Sequence, residues 1–76
     1  MGRPAVTIEL TAAECGELEG LTRRRRTAQG LARRARIVLA AAAGLENKTI
    51  AQSLGADKNT VSKWRRRFAV QRIEGL

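Results

Sequence analysis

The chain contains no histidine, and it has a single cysteine, Cys15, and a single aspartate, Asp57. A zinc site of the structural kind therefore has no ligand set to draw on. One cysteine excludes an intramolecular disulfide, and Cys15 reads as a small, half-buried helix residue. No nucleophile–base pair and no phosphate-cradling glycine loop is present, so neither enzymatic activity nor a cofactor or small-molecule substrate is expected. The only proline is Pro4, and the only aromatic residues are Trp64 and Phe68. A core with so few rings must be mostly aliphatic and alanine, which favours helices. The longest apolar run, Ile37 to Ala43, is far shorter than the ~20 residues needed to span a membrane. The opening residues lack the apolar stretch of a signal peptide. A soluble cytoplasmic protein is expected, without a membrane partner.

What the chain does have is positive charge. Its 76 residues carry 15 bases and 7 acids, for a net charge of +8. The distribution is uneven: residues 1–22 hold one base against four acids, and residues 23–76 hold fourteen bases against three acids. Most of the chain is built to meet a polyanion. The length suits one small domain. Such a domain buries only about 60% of its unfolded surface, which leaves little for a deep pocket.

The most informative stretch is 47–67, NKTIAQSLGADKNTVSKWRRR. Ile50, Ala51 and Leu54 form one apolar face, and Gly55 is suited to end that helix in the left-handed conformation. Asp57 can accept from the first-turn amides of a second helix. There Val61, Trp64 and Phe68 repeat at i, i+3, i+7 as the expected buried stripe. The other side offers Asn59, Ser62, Lys63, Arg66 and Arg67, with no acid. Small Ala51 permits close approach of the two helices, and Gly55 permits a turn that a Cβ would strain. This spacing is that of a DNA-binding helix-turn-helix, with the second helix free to enter a major groove.

Along the chain, residues 1–10 read as an extended arm, whose Arg3 is a candidate for minor-groove or backbone contact. Residues 11–71 read as the domain. Thr11 and Glu14 spell a capping box for a helix from about Ala12 into the arginine run. Glu14, Glu17 and Glu19 suit its dipole as a solvated face. Arg23, Arg24, Arg25 and Arg26 form a phosphate-contacting patch without sequence information. Thr27 is expected to cap a second helix, about Ala28 to Ala43, with Leu31, Ala35, Val38 and Ala42 as its core stripe, Ile37 and Leu39 widening it, and Arg33 and Arg36 on the opposite face. Gly44 ends it. Asn47 is expected to cap the third helix, about Lys48 to Leu54, and Asp57 the fourth, about Lys58 to Gln71. Residues 72–76 read as a tail leading to a downstream region absent from this chain.

Taken together, Ala35–Arg36–Ile37–Val38–Leu39, Ile50–Ala51–Gln52–Ser53–Leu54–Gly55 and Asn59–Thr60–Val61–Ser62–Lys63–Trp64–Arg65–Arg66–Arg67–Phe68 resemble the N-terminal region of bacterial insertion-sequence transposases of the mariner superfamily. The resemblance covers nearly the whole chain. It implies a homeodomain-like helix-turn-helix that binds the element's terminal inverted repeats, followed in the family by a second DNA-binding unit and a metal-dependent acidic catalytic domain. That catalytic domain is absent here, so cleavage and strand transfer are not expected of this chain. The resemblance puts Lys58, Asn59, Ser62, Lys63 and Arg66 on the DNA-reading positions. Asp57 stands where the family commonly has serine, and Cys15 where a charged residue is frequent.

The resulting expectation is an all-α, three-to-four-helix homeodomain-like bundle that binds double-stranded DNA. Asn59 suits adenine, and Lys63 and Arg66 suit guanine. Lys48, Arg65 and Arg67 join Arg3 and the Arg23–Arg26 run as backbone contacts, although Arg65 lies beside the core face. A small autonomous helix-turn-helix repressor would use the same fold and residues.

Overall fold

A computed structural model describes residues 7–76. It contains four α-helices: α1 Ala12–Arg23, α2 Gln29–Ala42, α3 Asn47–Leu54 and α4 Lys58–Gln71, then a 3-10 turn, Arg72–Gly75. Among the described residues there is no strand. The fold is the expected all-α helix-turn-helix bundle.

Helix α1 starts where the capping box puts it. The Thr11 hydroxyl accepts from the Glu14 N–H at 3.0 Å, and Glu14 Oε1 accepts from the Thr11 N–H at 3.1 Å. Helix α2 starts differently from expectation. Its N-cap is Ala28, without a side-chain cap, and Thr27 lies one residue outside. At its other end Gly44, at φ +92°, places its N–H on Ala41 O and the Leu45 N–H on Ala40 O. This pairing satisfies two carbonyls that the helix would otherwise leave open.

Helix α2 is the centre of the bundle, packing against α1, α3 and α4. Three neighbours bury more of it than one stripe. Ala32, Ala35, Ile37, Val38 and Ala41 are all buried, while Leu31 and Ala42, expected in the core, are only half-buried. The buried face is therefore shifted by about one residue at each end and broadened by Ile37. Leu18 of α1, Ile50 of α3 and Val61 and Phe68 of α4 complete the core.

The two flanks are docked. Residues 7–10 follow an irregular path, yet Ile8 is buried and Leu10 packs on the core. The segment 72–76, expected to trail away, turns back onto the bundle, with Ile73 and Leu76 against the core. Two arginines hold it: Arg34 Nη1 of α2 donates to Leu76 O at 2.9 Å, and Arg72 reaches back to the start of α1. Its guanidinium donates to Glu14 at 2.9 Å (Nε) and 2.6 Å (Nη2), and to the Glu9 carbonyl at 2.7 Å, and it lies 4.6 Å from the Phe68 ring centroid. Its backbone sits at φ 58°, ψ −149°, a region that costs a non-glycine residue on the order of 1–3 kcal/mol. The Arg72 guanidinium and the Thr11 N–H hold the Glu14 carboxyl down at about 2. The capping carboxylate of α1 thus also fastens the end of α4. The Glu14 side chain makes the expected capping box and, beyond the expected solvated face, also the contact with Arg72.

Candidate nucleic-acid interface

The interface begins with the turn between α3 and α4. Gly55 adopts φ +64°, ψ +31°, and its N–H closes α3 on Ala51 O. Ala51 itself is buried in the core. Two residues later Asp57 Oδ2 accepts from the Asn59 N–H at 3.2 Å and caps α4. The carboxylate sits at the positive end of the helix dipole, which favours it by a few tenths of a kcal/mol to about 1 kcal/mol.

With α4 anchored through Val61 and Phe68, its outer face is open. Lys58, Asn59, Lys63, Arg66 and Arg67 are exposed and Ser62 is half-buried. No acidic residue lies within α4. Ser62 accepts a long 3.4 Å bond from Arg66 Nη2, so the Arg66 guanidinium reaches back one turn along the helix surface. The five expected base-reading residues therefore lie on one helix, with Asn59, Ser62 and Arg66 following the i, i+3, i+7 repeat of a single face.

Trp64 is placed differently from expectation. It is half-buried, packed against the core but not enclosed in it, and three cations lie over its ring: Arg34 at 4.4 Å, Lys63 at 5.0 Å and Arg67 at 5.5 Å from the centroid. Each such contact is worth roughly 0.5–1 kcal/mol at an exposed site. Trp64 thus positions two cations of the outer face, Lys63 and Arg67, and ties α2 to α4 through Arg34.

Arg65 takes the core-side place instead. Expected as a backbone contact, it is only 5% exposed. Its Nη1 donates to Leu45 O at 2.8 Å and Asn47 Oδ1 at 3.0 Å. Burial pushes its pKa down from the ordinary value, and the two acceptors compensate the loss of water. Arg65 therefore fastens α4 to the turn between α2 and α3 and does not face outward. The same bond explains Asn47. The cap of α3 is Glu46, without a side-chain bond, and Asn47 is the first helical residue, its amide oxygen committed to Arg65.

Of the other expected backbone contacts, Lys48 is exposed on the first turn of α3, and Arg23, Arg24, Arg25 and Arg26 are exposed around the connection from α1 to α2. Arg3 lies outside the described residues. Two further exposed bases have no role assigned by the sequence alone: Arg33, whose Nη2 donates to Leu54 O at 3.2 Å, and Arg36. Their i, i+3 spacing on a polar face is the signal that could have found them. No helix among the described residues is long and apolar enough to cross a membrane.

Residues 28–76, which contain α2, α3, α4 and the closing 3-10 turn, match the homeodomain-like domain family. No curated protein and no solved structure gives a significant match. The matched stretch is more than half of the chain and carries the whole helix-turn-helix, a fold suggestive of DNA binding, so this chain belongs to the homeodomain-like domain family.

Proposed function

We propose that the chain binds double-stranded DNA sequence-specifically, with α4 in the major groove, and that its target is the terminal inverted repeat of an insertion element. It would be the recognition unit of a transposase of the mariner superfamily, acting at the bacterial nucleoid and binding without cleaving. The observation that carries DNA binding is the division of α4 into a pinned inner side and an acid-free outer side. A groove about 12 Å wide admits one such helix. Asn59 is suited to adenine N6/N7 and Arg66 to guanine O6/N7, with Lys63, Lys58 and Ser62 beside them. Lys48 and Arg67 flank this face as phosphate contacts. Arg25 and Arg26 stand just ahead of α2, the first helix of the matched unit, where homeodomains carry a basic arm. The insertion-element target rests on the sequence resemblance. A repressor would use the same surface on an operator.

Selection from random duplex DNA tests this reading. A single enriched motif is expected, and its occurrence at element ends or beside a gene separates the two targets. For five phosphate contacts, binding should weaken between about 50 and 200 mM salt with a log–log slope of roughly −4 to −5. No enrichment together with a flat salt dependence would remove the proposal.

A further inference from the structure

The surface formed by α1, α2 and the connection between them is a second concentration of positive charge. An open groove of about 540 Å³ lies there, lined by Arg24, Thr27, Gln29, Arg33 and Arg36 among others, with no acidic residue in its lining. Helix α2 begins in it without a side-chain cap, so first-turn amides add to the donors available to an anion. Arg24 folds back over α1, where the absence of a side chain at Gly20 leaves room: a Cβ there would stand 3.3 Å from Arg24 Nη2.

Its direction separates this groove from the α4 face. Arg34 points toward α4, since its guanidinium stacks on Trp64 at 4.4 Å. At 3.6 residues per turn, Arg33 projects about 100° and Arg36 about 160° around α2 from Arg34. Both therefore leave α2 on the side turned away from the Arg34–Trp64 contact, with Arg33 reaching round to Leu54 O at the end of α3 and Arg36 left in the groove.

We propose that this groove holds the sugar–phosphate backbone of a second duplex segment, so that one copy of the chain bridges two segments of DNA. Guanidinium forks match phosphate oxygens bidentately, and nothing in the lining supplies the base-edge discrimination that α4 has. The second segment is therefore held without sequence preference. The proposal rests on α4 being the primary DNA surface.

The test is sequential capture. A short duplex carrying the selected site is immobilised and loaded with the intact chain. A labelled duplex of mixed sequence is then added, and sedimentation of the loaded complex counts chains per duplex. The expected result is retention of labelled DNA by complexes with one chain per immobilised duplex. Arg33→Gln/Arg36→Gln should cut that retention at least about tenfold and lower its log–log salt slope by about 2, with loading of the first duplex unchanged. Arg36→Gln alone, which leaves the Arg33–Leu54 bond intact, should lower the slope by about 1. The inference is overturned if the loaded chain retains no second duplex, or only complexes holding two chains do. It also falls if the variants weaken the first duplex as much as the second, which would place both surfaces on one duplex. Displacement of the labelled DNA by polyglutamate at lower charge concentration than by competing duplex would assign the groove to an acidic polypeptide and overturn it too. Failure of the first loading step would instead remove DNA binding by α4, and the bridge with it.

Discussion

Arg65 and Arg66 are neighbours in one run of three arginines, and α4 sends them to opposite destinations. Arg65 turns inward, where Leu45 O and Asn47 Oδ1 occupy its Nη1. Arg66 turns outward, with only a long bond to Ser62. The inner side of α4, with Val61, Arg65 and Phe68, and its C-cap Arg72 are engaged within the bundle. The outer side, with Lys58, Asn59, Lys63 and Arg66, keeps its donors for something else. The same residue type thus serves stability on one side of the helix and recognition on the other, and composition cannot distinguish the two uses.

The largest break in this contrast comes from the ring at its centre. Phe68→Ala removes a fully buried side chain and should cost about 3–5 kcal/mol, read as a lower urea midpoint, with DNA binding lost only as the fold is lost. Arg65→Ala is expected to cost about 1–3 kcal/mol of stability, because Leu45 O and Asn47 Oδ1 lose their donor in a part-buried setting. Its salt slope for DNA should match that of the parent. A shallower slope with unchanged stability would mean that Arg65 faces DNA after all.

Arg66→Ala should do the reverse. Its melting curve should stay within about 0.5 kcal/mol of the parent, while affinity for the selected site falls by about 1–3 kcal/mol and discrimination at one base pair relaxes. Neutralising Arg25 and Arg26 should instead weaken binding equally on selected and scrambled sites and lower the salt slope by about 2. Equal loss on both DNAs from Arg66→Ala, with lost discrimination from the arginine pair, would exchange the two roles.

The smallest effect sharpens the inner side by pH. The folded Glu14 carboxyl titrates at about 2, below its ordinary 4.5. A group depressed on folding contributes stability that is present above the unfolded value and lost as pH falls through the folded one. The melting temperature should therefore decline between about pH 5 and pH 2. Glu14→Gln should remove that part of the decline and lower the melting temperature at neutral pH. An unchanged acid limb in Glu14→Gln would show that the Arg72 clamp does not couple α1 to α4.

Signals confined to a few neighbouring residues are legible in the sequence alone. Thr11 and Glu14 identify the start of α1, Gly55 the end of α3, and Asp57 the start of α4, because each acts on amides or dihedrals within one turn of itself. The exposed candidates Lys58, Asn59, Lys63 and Arg66 are legible for a related reason: an apolar repeat marks one side of a helix and leaves the other. Thr27 and Asn47 are the failures of local reasoning. Both have capping side chains, but the N-caps of α2 and α3 are Ala28 and Glu46, and a partner eighteen residues away takes the Asn47 oxygen.

By itself, then, the sequence determined the all-α class, the helix-turn-helix and the polarity of its outer side, since these follow from backbone capping and a 3.6-residue repeat. It determined also that the charge lies after residue 22. Only the tertiary structure decided which flank of the α4 stripe is covered. Trp64 and Arg65 both border Val61 and Phe68. The α2–α3 turn lies on the Arg65 side, supplying two acceptors, and the Trp64 side is met by Arg34. It likewise decided that Arg72 reaches Glu14 across the bundle, that α2 is buried on three sides, and that Arg33 and Arg36 share a groove with Arg24. Each of these depends on the position of one helix relative to another. A repeat along one helix does not encode that position, because it is set by how the side chains of several helices fill a common core.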